Sequence, residues 1–182
     1  MVKNDLQLFR IRRTIRKFTD EDVSEEALEQ LLDAASLAPS RLDQRPLHYL
    51  VIRSGQLKTQ LAETLRVRPY LEQAPVVIAV CADPIASPTW ELNGSAAIEN
   101  MLLAATALDL GGVWVGPKRN ELWEHTVQLL REAADVPANM NVVALVSIGH
   151  PAQKRRPYEP GEKLDRQRVH YDHWSNLKLQ QV

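Results

Sequence analysis

The chain has 182 residues, the span of one domain at roughly 150 residues each. Hydrophobic residues make up 45% and charged residues 25%, which excludes a disordered tail or a low-complexity array. The 22 basic and 23 acidic residues leave a net charge of -1, a poor match to a broad nucleic-acid-binding surface.

The single cysteine, Cys81, cannot form an intrachain disulfide. It lies in an apolar run and reads as an inert core thiol, with the cytoplasm as the expected compartment. No apolar stretch approaches the roughly 20 residues a bilayer helix needs. Residues 1–16 contain no apolar h-region, so no signal peptide is expected. Their basic, amphipathic character suits a transit peptide, but Asp5 and the scarcity of serine argue against one.

Charge is segregated near the start. Six basic residues and one acid precede Thr19, and seven acids with no base run from Asp20 to Asp33. The pattern predicts a first helix over Leu6–Arg13, with Leu8, Ile11 and Ile15 on or near its apolar face. Ser24 is a good N-cap for a second helix, with Glu25 and Glu26 at the positive end of its dipole. Leu28, Leu31, Leu32 and Ala35 give that helix one buried face, and Pro39 ends it. Ser40–Pro46 is a polar loop, and Leu47–Ile52 reads as a strand. A short amphipathic helix carries Leu57, Leu61 and Leu65.

Pro75–Ala82 is a continuous apolar run, the mark of a strand covered on both faces. Residues 83–91 form a loop. Leu92–Leu108 is helical and apolar nearly all round, as in a core or a subunit interface. Gly111 is its expected C-terminal stop. Val113–Val115 is a strand, Leu122–Ala133 a helix and Asn141–Ile148 the last clear strand. From Ala152 onward the chain is polar and basic, and is either disordered or lies along another surface. Helices and strands are interspersed, so the class is a mixed α/β layer architecture.

The motifs exclude much chemistry. There is no dinucleotide or phosphate-binding glycine fingerprint, no zinc motif, no C-x-x-C and no nucleophile elbow. His170 and His173 would share a helix face at i, i+3, but two solvated tail histidines are the better reading. No nucleophile with its base can be picked out, so an enzyme of this sequence would take its reactive atom from a cofactor.

Three features carry positive information. Arg12, Arg13, Thr14 and Arg16 would converge at a helix end, where their mutual repulsion favours a bound dianion. A solvated basic face, or ion pairs with Asp20–Glu29, is the plainer alternative. The loop Ala38–Pro46 is pinned by two prolines. The turn Gly111-Gly112-Val113-Trp114-Val115-Gly116-Pro117 could let the backbone approach a flat ligand, or could simply turn a corner.

Together these motifs resemble the nitroreductase family. The resemblance runs from R-R-T-I-R-K-F at Arg12–Phe18 through the A-P-S loop and P-x-H-Y-x-V. It continues through A-A-I-E-N-M-L-L-A-A at Ala96–Ala105 and G-G-V-W-V-G, and ends in V-V-A-L-V-S-I-G-H-P and a basic stretch. The resemblance implies an α+β fold, a mixed, mostly antiparallel sheet flanked by helices. It implies a single domain over residues 1–182, forming an intertwined homodimer with FMN at the subunit interface. Residues from about 152 onward would wrap the partner.

By this resemblance Arg12, Arg13, Thr14 and Arg16 would hold FMN, with Arg155 or Arg156 adding a phosphate contact. Pro39, Ser40 and Asp43 would reach the flavin from the other subunit, and Trp114, Val115 and Gly116 would line its edge. Asp43 stands where the family usually has asparagine, Arg45 where it has glutamine and Leu47 where it has tryptophan. Asp43 and Arg45 could pair. The substrate lid would shrink to Pro84–Trp90.

The implied activity is ping-pong hydride transfer from NADH or NADPH through flavin N5 to a nitroaromatic, quinone or activated alkene. No catalytic side chain and no metal are required. Alternatives within the fold are an FMN store or redox sensor with little turnover, or another flavin chemistry such as dehalogenation. A nucleic-acid module on the basic N-terminus is the remaining rival.

Overall fold

Seven consecutive apolar residues can be covered only from both sides, and Val76–Ala82 forms the central strand β2, buried along its whole length. The structure, a computed structural model, describes residues 6–116 and 120–177. Strand β1 is Leu47–Ile52, β3 is Gly111–Val115 and β4 is Asn141–Gly149. The sheet order is β1-β2-β4-β3, with every strand pair antiparallel.

Alternation along β2 sorts the core. Val77, Ala79 and Cys81 face one layer, built on α3 (Gly55–Leu65) and α6 (Glu121–Ala134). Val76, Ile78, Val80 and Ala82 face the other, built on α2 (Glu25–Ser36) and α5 (Trp90–Ala107). The result is a three-layer sandwich, helices on both faces of one sheet. Among the described residues Cys81 is buried and free, and burial pushes its thiol pKa up to about 11, so it stays protonated and unreactive.

The register between β2 and β4 slips at Val80/Cys81, leaving Val143 as an extra residue. The bulge turns both Val143 and Ala144 toward α5. Gly94 of α5 makes room for it, since a Cβ there would lie 2.6 Å from a Val143 methyl. The amide of Asn100 also ties α5 to α2, donating to the carbonyl of Ala34 at 3.0 Å.

Several expectations hold in outline and shift in detail. Ser24 caps α2, its hydroxyl accepting from the Ala27 amide at 3.1 Å. Helix α5 starts at Trp90, two residues before the predicted Leu92. Asp109, at φ 58, and not Gly111, takes the left-handed conformation that ends α5, and Gly111 opens β3. A helix α4, Arg68–Glu72, has no counterpart in the sequence reading.

The first helix is only α1, Gln7–Ile11. Arg12 already has ψ 119, so residues 12–18 leave the helix and run extended. The Ile15 amide donates to Gly112 at 2.9 Å, and Thr14 bridges Gly112 in parallel, extending the sheet beyond β3.

The tail is not wholly coreless. Phe18 bridges Pro151, and the Tyr158 amide donates to the Arg10 carbonyl at 3.0 Å, so its first part lies along its own N-terminal segment. Glu162 closes a turn there, paired with Arg156 at 2.7 Å. Further on, β5 (His170–Tyr171) and β6 (His173–Leu177) form a hairpin. His170 and His173 therefore share no helix face, and the His170 ring stacks on Trp174 at 4.2 Å. Residues 178–182 of the predicted extension lie outside the described residues.

Two tests follow from this packing. A Cβ on Gly111 would lie 2.5 Å from Ile15 Cγ1, in a buried and closely packed contact. Gly111→Ala should cost about 1–3 kcal/mol of stability, read from urea unfolding. An unchanged midpoint would show that residues 14–18 do not seat on β3. The second concerns acid. Hydrogen bonds from Arg156 and the Glu159 amide lower the Glu162 pKa from 4.5 to about 2. That contribution is present above about pH 4.5 and is lost as pH falls toward 2. Protection of the Tyr158 amide, taken relative to its intrinsic exchange rate at each pH, should fall over that interval, and Glu162→Gln should show the lower protection already at pH 7.

Candidate functional site

Ile15 and Phe18 are buried and anchor the extended segment at two points. The Thr19 amide donates to His150 and the Ala152 amide to Lys17, both at 2.9 Å, so the segment lies between β3 and the chain leaving β4. This brings the basic residues of both ends of the chain to one sheet edge. Extended backbone sends alternate side chains to opposite sides, so Thr14 and Arg16 turn away from the core that holds Ile15.

The arginines do not converge from a helix end, as the i, i+4 spacing predicted. Each goes to its own partner. Arg12 Nε meets Glu99 Oε1 of α5 at 3.3 Å. Arg13 donates to the Arg156 carbonyl and lies over the Tyr158 ring at 4.1 Å. Arg16 lies 5.9 Å from the Tyr70 ring centroid. Among the described residues, Arg12, Arg13 and Arg16 make no ion pair with Asp20–Glu29; Arg53 takes Glu25 and His150 takes Glu21.

Arg156 is neutralised by a two-point pair with Glu162 at 2.7 and 3.1 Å. Arg16 and Arg155 have no carboxylate partner among the described residues. With the Thr14 hydroxyl between Arg12 and Arg16 in sequence, this donor set suits a phosphate.

The second group lies elsewhere. Pro39 and Ser40 follow α2, and a short 3-10 turn covers Arg41–Asp43. Leu42, Asp43 and Arg45 all have positive φ, at 51, 54 and 46°. The expected pair forms: Arg45 Nε donates to Asp43 Oδ1 at 2.9 Å and Nη2 to Oδ2 at 3.0 Å. It holds the Asp43 carboxyl below the usual carboxylate range. A cavity of about 250 Å³ opens beneath, lined by Ser40, Arg45, Pro46, Tyr49 and Asn93 among others. Burial raises the Tyr49 pKa, opposed by a bond to Ser36. This loop feeds β1, at the sheet edge opposite β3, the strand beside which the arginine segment runs.

The third group is the end of β3. Val115 is buried and Trp114 is 37% exposed. Gly111 and Gly112 do not open the backbone to a flat ligand: their space is taken by Ile15 and by Leu102 and Ile148. At Gly116 a Cβ would meet only the Trp114 indole, at 3.4 Å. Pro117, which closes the predicted turn, lies outside the described residues. Trp114 shares a cavity of about 360 Å³ with Trp90 and Trp123. Trp90 entered the sequence reading only as the end of the lid and Trp123 not at all, because only the packing of the first turns of α5 and α6 brings them to β3. No group of metal-ligating side chains occurs among the described residues.

Comparison with known proteins identifies the family and the fold. The Nitroreductase family profile matches residues 10–70 and 64–150. A protein of Archaeoglobus fulgidus named "Putative NADH dehydrogenase/NAD(P)H nitroreductase" is 35% identical, over 93% of this chain and 98% of its own. The structure of an FMN-dependent nitroreductase from Clostridium difficile superposes with a TM-score of 0.85 at 27% identity. That match covers 92% of this chain and 99% of the other. A Desulfovibrio desulfuricans structure solved in complex with FMN is 38% identical, with a TM-score of 0.74. It covers 86% of this chain and 94% of its own. The chain therefore belongs to the nitroreductase family.

Proposed function

We propose that the chain is an FMN-dependent oxidoreductase drawing on NADH or NADPH. The observation that carries this reading is the pairing of residues 14–18 with Gly112 and Pro151, which sets Arg12, Thr14 and Arg16 beside the segment holding Arg155. The FMN carried by the D. desulfuricans relative, at 38% identity, supports the choice of cofactor.

Arg12, Thr14 and Arg16 would hold the phosphate and ribityl side of FMN, and Arg13 would fix the adjoining tail through Tyr158. Of the tail cations Arg155 is the better phosphate ligand, since Glu162 already occupies Arg156. Trp114, Val115 and Gly116 would border the ring. Bound FMN supplies the reacting atom, N5, through which hydride passes from the nicotinamide to an acceptor such as a nitroaromatic, quinone or activated alkene. For a quinone the balance is one NAD(P)H and one proton consumed per hydroquinone formed. The side chains bind, orient and exclude water, and the proton comes from solvent.

The site is completed by a second copy in this reading. Pro39, Ser40 and Asp43 stand at the opposite sheet edge from the arginines, where a twofold partner could use them. Helix α5 offers an open face for that contact. Leu92 is 70% exposed, and Ala96, Glu99, Leu103 and Ala107 continue its stripe. Trp174 on the hairpin is 85% exposed and would be covered where this tail wraps the partner.

Two measurements test the reading. Arg12→Ala and Arg16→Ala each remove a charge-assisted contact, so FMN affinity should fall about ten- to a hundredfold. Apo-protein melting should change little. Unaltered FMN dissociation constants in both variants would move the flavin to another site. Light scattering should give a dimer with an interface above about 2,000 Å². A stable monomer that still holds FMN would refute the two-copy site.

A further inference from the structure

We infer that Arg45 makes the cavity beneath the 39–46 loop selective for flat, single-ring acceptors that carry a carboxylate. The inference rests on the oxidoreductase reading above and adds its substrate class. The cavity of about 250 Å³ suits a molecule of that size, since a void of about 150 Å³ takes up benzene. Alanine and proline walls bound it, and Ser40, Tyr49 and Asn93 supply polar groups. Among the described lining residues Arg45 bears the only formal positive charge.

Asp43 balances that charge but does not use all of its donors, and both side chains are largely exposed, at 77% and 73%. A guanidinium has five N–H donors, and the Asp43 carboxylate engages Nε and Nη2. The end formed by Nη1 and the second Nη2 proton stays available as a two-point fork for another carboxylate. Asp43 thereby orients the fork. Three non-glycine residues in the left-handed region hold the loop, a strained conformation of the kind found at ligand clamps. A glutamine at position 45 could hydrogen-bond a ligand but could not pair with its charge.

The test uses FMN-loaded protein and two matched acceptors, 4-nitrobenzoate and its neutral isostere 4-nitrobenzamide. In the native protein kcat/KM should favour the carboxylate about tenfold or more. Arg45→Gln should bring the ratio close to one, and Arg45→Lys, which keeps the charge without the fork, should fall between. FMN absorbance and melting confirm that each variant is folded and loaded. A native ratio near one, or an unchanged ratio in Arg45→Gln, overturns the inference. If the native protein reduces neither acceptor, calorimetry with benzoate decides the site alone, and the oxidoreductase reading itself fails where NADH and NADPH also leave the bound FMN unbleached. Benzoate binding lost in Arg45→Gln upholds the carboxylate site, and absence of binding to the native protein overturns it.

Discussion

Residues 14–18 join β3 to the chain that leaves β4, and the candidate site depends on this one seam. Ile15 fits only because Gly111 has no side chain, and Phe18 packs where Gly149 leaves room. Backbone hydrogen bonds on both sides then fix the segment's height and direction. The arrangement gathers cations from two distant stretches of sequence, which in isolation would repel. Glu99, Glu162, the Tyr158 ring and the Arg156 carbonyl offset much of that cost. Arg16 and Arg155, without a carboxylate partner among the described residues, mark where an anion would be most stabilising.

Helix α5 serves the core and the site at once. One face follows the β4 bulge, with Gly94 against Val143, and is fixed by close packing. The other face is open, and from it Glu99 reaches Arg12. A change in how that open face is covered would therefore be felt at a site arginine through a single ion pair. Buried deeper, the same pair would gain strength as its surroundings lost water.

Local signals in the sequence were sufficient where they agreed with the packing. The β2 run, the Ser24 cap and the alternation of apolar residues on α2 needed no tertiary information. The N-terminus failed for an identifiable reason. Ile11 and Ile15 are spaced as on a helix face, but Ile15 is buried by a bridge to Gly112, which no local pattern reports. Glycine misled in a similar way. Gly111 looked like a helix stop or a ligand approach, yet Asp109 takes the left-handed turn and Gly111 admits Ile15. The family resemblance supplied the residues of the candidate site. Neither it nor the periodicity foretold the three divergent partners of Arg12, Arg13 and Arg16.

The loop at Pro39–Pro46 is held by charged groups at the two positions where the resemblance leads one to expect amides. Leu42, Asp43 and Arg45 occupy backbone conformations that glycine or asparagine would adopt more readily. The Asp43–Arg45 fork spans the turn and helps hold it, so two charges replace two amides without a net change in charge. Pro46 is buried and fixes where the loop enters β1. From there the sheet sets the distance. Three strand spacings of about 4.8 Å separate β1 from β3, with the arginine segment beyond. The loop and the arginine segment thus stand at opposite edges of one sheet, and the proposed second copy would let one site use both Ser40 and Arg16.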